Sequence, residues 1–385
     1  MKIIIYSQNI WGVGHFFRSL EICRALSNHD VILIIGGDRV DIPLPEHVRE
    51  VRLPGIMTDR EYNNLFTTEP GITLQQAQKQ RKNRLLALLA EASPDIFVVE
   101  LYPFGRNAFR VELDPVLERI RQKNLSHCRV VCSLRDILVE KKDPIAYEKR
   151  VIGKLNRYFD ALLVHSDPSV LKLDETFSRT KDINIPIQYT GYVAQKPPRG
   201  ARLKIRRQLG IKQNEILIVA SAGGGKAGAT LMQSVIAAFL RLNTFEVSRL
   251  YAFTGPYLSQ EEFDTIRRQS GNRVYISRFS TDFLSYLAAA DLSVSMAGYN
   301  TSMNILATNV PALVWPFSHD REQGLRAERL ARLGALTILK NEDLKPSRLS
   351  AIMARQLSQS SHDFRKIDLE GATNTARWLE QLTRR

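Results

Sequence analysis

Ten short apolar runs, separated by stretches of helical periodicity, constrain this chain more than any other feature. In the first half they are IIIYS (3–7), VILIIGG (31–37), DIFVVEL (95–101), RVVCSL (129–134) and ALLVHS (161–166). In the second they are ILIVASAG (216–223), RLYAFTG (249–255), RVYISRF (273–279), LSVSMAG (292–298) and PALVWPF (311–317). Apolar runs of this length read as strands buried on both faces. Strands alternating with helices build parallel sheets with crossover connections. Nearly all the runs end in Gly, Ser or a charged residue, at the carboxyl edge where open α/β sheets take their ligands. The expected class is α/β, with two doubly wound units in tandem.

At 385 residues the chain exceeds the size at which one core stops growing, so two domains of about 150 to 200 residues are expected. The segment 191-GYVAQKPPRGAR-202 interrupts both periodicities. It sets an N-terminal domain at 1–192, a linker at 193–201 and a C-terminal domain at 202–365. Residues 366–385 read as helical from Leu369 and are expected to pack back across the domains.

A hydrophobic content of 44% with 24% charged residues is that of a globular chain. Its net charge of +14 favours an anionic partner. The charge is dispersed; the cluster 79-KQRKNR-84 reads as a solvated helix face. There is no RNP pattern, zinc spacing or recognition helix, so nucleic acid is not an expected partner. Cys23, Cys128 and Cys132 form no CxxC pair and no even disulfide set, which points to a reducing, cytoplasmic setting. The opening apolar run is too short for a signal peptide, and no segment approaches 18 apolar residues.

Between the first strand and first helix lies 7-SQNIWGVGHFFRSLEICRAL-26. Gly12 and Gly14 begin a G-x-G pattern, but Phe17 stands where a dinucleotide fingerprint needs its third glycine. His15 falls in the first turn of the helix, where the positive end of the macrodipole disfavours imidazolium and keeps a neutral base available. It serves either as a helix cap or as a catalytic base. Glu100 and Asp136, at other strand ends, are the further candidate bases. Pairing with Arg106 and with Arg135 is the structural alternative for these two.

In the second half, 221-SAGGGKAGATL-231 repeats the strand-to-helix junction. Ser221 and the Gly223, Gly224 and Gly225 loop let backbone amides approach an anion, with Lys226 beside the helix terminus. Ala227 after the lysine rules out a Walker loop. Downstream, Gly298 precedes a helix that Asn300 or Thr301 is placed to cap, and Asp320, Arg321, Glu322 and Gln323 follow the strand PALVWPF. Together these read as a nucleotide-sugar pocket.

On these motifs the chain resembles the GT-B glycosyltransferases, and in particular glycosyltransferase family 28. The likeness is strongest over 273–336 and extends to the opening GVGH. It implies two Rossmann-like domains facing across a cleft, the first binding acceptor and the second a nucleoside diphosphate sugar, with UDP as the nucleotide. It further implies that backbone groups at Arg278 and Phe279 read the uracil, and that the Ser221 loop holds the pyrophosphate. Gly298 and Tyr299 would lie beside the nucleotide, and Glu322 with Gln323 would hold sugar hydroxyls. Where the family usually has a Glu on the ribose diol, this chain has Asn304. A neutral amide there costs on the order of 1 kcal/mol.

The expected reaction is an inverting sugar transfer to an acceptor hydroxyl, independent of metal because no D-x-D occurs. No cofactor is expected beyond the donor substrate. The alternative is a nucleotide-sugar hydrolase, since Gly12, Gly14, His15 and Arg18 also reproduce the GxGHxxR loop of such enzymes. The acceptor is expected to be a lipid or a glycan. Ile56, Met57, Leu65 and Phe66 of segment 55–86 read singly as core residues and, together with the nearby basic cluster, as a peripheral membrane contact.

Overall fold

The computed structural model describes all residues except 9–13, 38–41, 59–63, 123–127, 140, 225–227, 243–247, 318–320, 360–365 and 384–385. The chain forms two compact units, Met1–Val193 with Asp368–Arg385, and Ala194–Ile367.

In unit 1 the order is β1 (Lys2–Tyr6), α1 (Gly14–Ala25), β2 (Asp30–Ile35), β3 (Val48–Arg52), β4 (Ile56–Thr58), β5 (Leu65–Thr67), α2 (Leu74–Ala92), β6 (Ile96–Glu100), α3 (Arg110–Arg121), β7 (Arg129–Arg135), α4 (Pro144–Tyr158), β8 (Ala161–His165) and β9 (Ile187–Tyr189). Seven of these strands form a parallel sheet in the order β3-β2-β1-β6-β7-β8-β9, and β4 and β5 pair as a separate antiparallel hairpin. The strands read as near-continuous apolar runs because both faces are covered. Ile4, Tyr6, Phe97 and Val99 point to one core, with Leu85 of α2, Leu113 of α3 and Val151 of α4. Ile3, Ile5, Ile96 and Val98 point to the other, with Phe16, Leu20 and Cys23 of α1.

In unit 2 the order is α5 (Ala201–Gln208), β10 (Ile216–Ser221), α6 (Ala229–Phe239), β11 (Ser248–Phe253), α7 (Gln260–Arg268), β12 (Val274–Ser277), α8 (Phe283–Ala289), β13 (Leu292–Met296), α9 (Tyr299–Thr308), β14 (Ala312–Trp315), α10 (Arg321–Arg332), β15 (Thr337–Ile338) and α11 (Pro346–Leu357). Its six strands are parallel, in the order β12-β11-β10-β13-β14-β15.

The last helix, α12 (Gly371–Leu382), belongs to unit 1. Ala376 and Leu379 enter the core that α1 also fills. The backbone amide of Gly371 donates to Tyr192 O at 3.0 Å, and that of Tyr192 to Asp368 O at 2.8 Å. A Cβ at Gly371 would stand 2.4 Å from Gly191 O, so only glycine permits this approach.

The strand order reverses beside β1 in unit 1, where β2 lies on one side and β6 on the other, and beside β10 in unit 2, between β11 and β13. At such switch points the following loops diverge to opposite faces and leave a crevice for ligand. Each unit thus has a physically favoured binding edge, and among the described residues His15 and Glu100 in unit 1 and Ser221, Gly223 and Gly298 in unit 2 lie at it.

The basic cluster 79–84 is not a solvated face throughout. Arg81 is fully buried, and its guanidinium bonds Glu112 through Nε at 2.7 Å and Nη2 at 2.7 Å, Gln8 Oε1 at 2.7 Å and Pro54 O at 2.7 Å. Tyr6 donates its hydroxyl to the same Glu112. Helical periodicity places 81 on the inward stripe with Ala77, Leu85 and Leu88, and Glu112 on α3 makes a charge there tolerable.

Candidate functional site

At the switch point of unit 1, β1 ends at Tyr6 and α1 begins at Gly14, while β6 ends at Glu100. Gly12 lies outside the described residues. His15 occupies the first turn of α1, and its Nδ1 is 2.6 Å from Glu100 Oε1. Arg18, three residues along the same helix face, forms an ion pair with the same oxygen and places Nη2 3.1 Å from His15 Nδ1. A carboxylate at that distance fixes the tautomer: Nδ1–H donates to Glu100, and the lone pair of Nε2 is left for chemistry.

Burial is the main influence that pushes the imidazole down to about 4; Glu100 opposes it, and Arg106 and Arg18 reinforce it. Burial works against the Glu100 anion, but His15 and Arg18 outweigh it and hold the carboxyl well below the usual range. The pair at neutral pH is therefore neutral imidazole and carboxylate. Asp136, one residue past β7, is buried but is not a partner of His15. The partners of Glu100 are His15 and Arg18 rather than Arg106, which replaces the pairing offered as its structural alternative. Two of the three candidate bases are thus one dyad.

A buried polar chain that sequence reading did not single out lies nearby. His165, ending β8, has Nε2 2.7 Å from Ser133 Oγ and Nδ1 2.8 Å from Thr190 Oγ1. Burial holds it neutral, down to about 3. The pattern ALLVHS carries no periodic signal for this; adjacency of β7 and β8 creates it. Also at the carboxyl edge, Gly37, Arg52, Pro54, Ile72 and Arg84 line a recess of about 410 Å³.

At the switch point of unit 2, β10 ends at Ser221, whose Oγ accepts from Gly223 N at 3.2 Å. Gly223 has φ +62°, a conformation that favours glycine. Tyr257 N donates to Gly224 O at 3.1 Å. Gly225 and Lys226 lie outside the described residues. Gly228 starts α6 so close to Ala222 that a Cβ would meet that residue's own Cβ at 2.1 Å.

Gly298 is the N-cap of α9 and supplies no side-chain acceptor, so neither Asn300 nor Thr301 caps this helix. The extended backbone of Gly298 starts the helix at Tyr299, which places both residues inside the first turn. A helix N-terminus of this kind suits an anion, because its first-turn amides have no intrahelical acceptor. Asn304 lies one turn further, half-buried.

At the end of β12, Arg278 O accepts from Gly255 N at 2.9 Å and Phe279 O from Ser277 Oγ at 3.0 Å. Both carbonyls are thus engaged by protein donors. The Arg278 side chain turns away, to Leu258 O at 2.6 Å and Gln260 at 2.7 Å, while Phe279 is exposed.

Arg321 opens α10 and is exposed; Asp320 lies outside the described residues. Glu322 pairs with Arg326 at 2.6 Å, and that guanidinium lies 5.1 Å from the centre of the Tyr299 ring. Gln323 Oε1 accepts from Phe317 N at 3.3 Å.

The fold is that of the GT-B glycosyltransferases. MurG of Acinetobacter baumannii aligns over 99% of this chain and 100% of its own, with TM-score 0.60 and 13% identity. A glycosyltransferase of Rickettsia africae aligns over 99% and 93%, with TM-score 0.60 and 10% identity. Within the chain, residues 219–381 match the glycosyltransferase family 28 C-terminal domain.

Among curated relatives, the UDP-N-acetylglucosamine–N-acetylmuramyl-(pentapeptide) pyrophosphoryl-undecaprenol N-acetylglucosamine transferase of Agrobacterium fabrum is 25% identical over 35% of this chain and 37% of its own. An uncharacterized glycosyltransferase of Methanosarcina acetivorans is 23% identical over 84% of this chain and 81% of its own. The chain spans 37%, 62% and 40% of the lengths of three such relatives, from Agrobacterium, Methanopyrus and Carboxydothermus.

Proposed function

We propose that the protein transfers a sugar from a nucleoside diphosphate sugar, UDP-linked, to an acceptor hydroxyl with inversion and without a metal. The observation that carries this reading is the His15–Glu100 pair, 2.6 Å apart at the switch point of unit 1, in a GT-B fold whose other unit has family 28 character.

Nε2 of His15 takes the proton of the acceptor hydroxyl as its oxygen forms a bond to the anomeric carbon. The bond from that carbon to the diphosphate oxygen breaks, and the nucleoside diphosphate leaves. Glu100 holds the ring and stabilises the imidazolium as it forms. The leaving charge is met by amides of the Gly223–Gly224 turn and the first turn of α9, with Lys226 as a further cation. For the nucleobase, the engaged carbonyls of Arg278 and Phe279 leave their amides as the reading groups.

The same dyad can activate water, which keeps nucleotide-sugar hydrolysis as the second reading. A panel of UDP-, GDP- and dTDP-sugars incubated without acceptor separates the two: rapid release of free sugar supports hydrolysis, and its absence supports transfer. Thermal stabilisation by UDP but not GDP or dTDP is expected; equal shifts for all three would overturn the UDP assignment.

We place the protein in the cytoplasm, peripheral to a membrane, acting on a lipid or glycan acceptor. Three free buried cysteines suit a reducing compartment, and no described helix is long and apolar enough to cross a membrane. Ile56 is in the core and Leu65 packs against it, because β4 and β5 fold down as a hairpin. Phe66 remains exposed. A stronger candidate is the start of α4, where Val139 and Ile145 are 47% and 75% exposed among exposed Lys141, Lys142, Lys149 and Arg150. Ile145→Asp is expected to abolish flotation with anionic vesicles, and unchanged flotation would remove this surface from consideration.

A further inference from the structure

Beside the His15–Glu100 pair lies a guanidinium that the mechanism above does not use. Arg106 sits in the loop between β6 and α3 with φ +59°, in the left-handed region that a non-glycine residue rarely adopts. Leu101, at the start of the same loop, has φ +65°, and a Cβ at Gly105 between them would lie 2.9 Å from the Leu101 side chain. The loop is held back to the sheet through Leu101 N, which donates to Ser133 O at 2.8 Å, and through Gly105 N, which donates to Leu101 O at 2.8 Å. Two strained residues therefore fix where Arg106 points.

The Nε and Nη2 atoms of Arg106 are shut off from solvent and have no hydrogen-bond partner, while the residue as a whole is only half-buried. Glu100 is near enough to act on it electrostatically. Yet the Oε1 atom of Glu100 is taken by His15 and Arg18, and its Oε2 is also without a partner. Arg135, at the end of β7, lies within electrostatic reach and repels it. A planar donor fork that is desolvated, unmatched and crowded by like charge is costly to hold in place unless something binds it. What matches it in charge and shape is an oxyanion.

We propose that Arg106 is the receptor for an anionic group, a phosphate or a carboxylate, carried by the acceptor close to its reacting hydroxyl. The inference rests on the reading of unit 1 as the acceptor side and makes that acceptor an anion. Arg18 is committed to holding Glu100, so Arg106 is the binding residue. A phosphate or carboxylate anchored there sets the hydroxyl against Nε2 of His15, which has no partner among the described residues.

The test uses the whole protein with no donor sugar, so its result does not depend on whether sugar transfer is the activity. Imidazole resonances of His15, assigned by comparison with His15→Gln, are followed during titration with methyl phosphate and, separately, acetate at constant ionic strength. In the wild type, saturable shifts and a rise in the His15 pKa from about 4 are expected, because a bound anion favours imidazolium. In Arg106→Gln the affinity should fall at least tenfold; Arg106→Lys, which keeps the charge, covers the case in which the first variant does not fold. A response to methyl phosphate alone assigns a phosphate, and one to acetate alone a carboxylate. No saturable shift with either probe, or the same affinity in wild type and variants, overturns the proposal.

Discussion

At the residue scale, the proposed mechanism depends on one imidazole held by one carboxylate. His15→Gln is expected to lower kcat by about a hundredfold or more. Glu100→Gln should cost a similar factor by releasing the tautomer, although it leaves Nε2 in place. Steady-state kinetics on both variants checks this, and near-normal turnover in either would remove that residue from the mechanism. Because burial holds His15 to about 4, the acid limb of kcat/KM should fall near pH 4 rather than near the ordinary 6.5 of histidine. A pH profile with an acid limb above pH 6 would contradict the neutral, buried base. A second residue-scale test concerns the Arg81–Glu112 pair, buried at 0% exposure on both sides. Arg81→Met alone should destabilise by about 3–5 kcal/mol, since it strands a buried carboxylate. The double variant Arg81→Met with Glu112→Leu should recover part of that loss, as urea unfolding would show.

At the element scale, the least expected assignment is the C-terminal helix. It is the last element in the chain, yet it completes the face of the first sheet that α1 covers. Leu379, fully buried there, should cost about 2–5 kcal/mol when changed to Ala. Gly371→Ala should also destabilise, because its Cβ would press on the backbone of Gly191 and Tyr192. Hydrogen exchange is the suitable probe: both substitutions should raise exchange in β1, β2 and α1 of unit 1, and leave β10 and β13 of unit 2 unchanged. Equal loosening of both units would show that the helix does not belong to the unit 1 core.

At the scale of the whole molecule, acid stability follows from histidines kept neutral. His15 and His165 are held to about 4 and about 3, below the 6.5 of an unfolded chain. Above pH 6.5 neither state binds the proton, so no stability is lost. As pH falls below 6.5 the unfolded chain takes up protons that the native state refuses, so stability declines until about pH 4 for His15 and about pH 3 for His165. Each group contributes a slope of up to ~1.4 kcal/mol per pH unit. Denaturation at pH 7.5 and 5 should show the loss, and His165→Asn should flatten it. The alternation of apolar runs and helical periods was enough to predict two parallel sheets, because strands covered on both faces carry near-continuous apolar runs. The turn after β10 was legible because glycine after a strand marks close backbone approach, as Gly223 with φ +62° shows. The shorter strands β3, β4, β5, β9 and β15 carried too few apolar residues to announce themselves. Local pattern therefore determined the class of fold and the edges on which ligands can bind. Only the tertiary structure decided that His15 and Glu100, 85 positions apart, form one dyad, that Arg81 is core rather than surface, and that the start of α9 needs no side-chain cap. These depend on which strands lie side by side and which charges meet in the interior, and neither is encoded within the span of a single element.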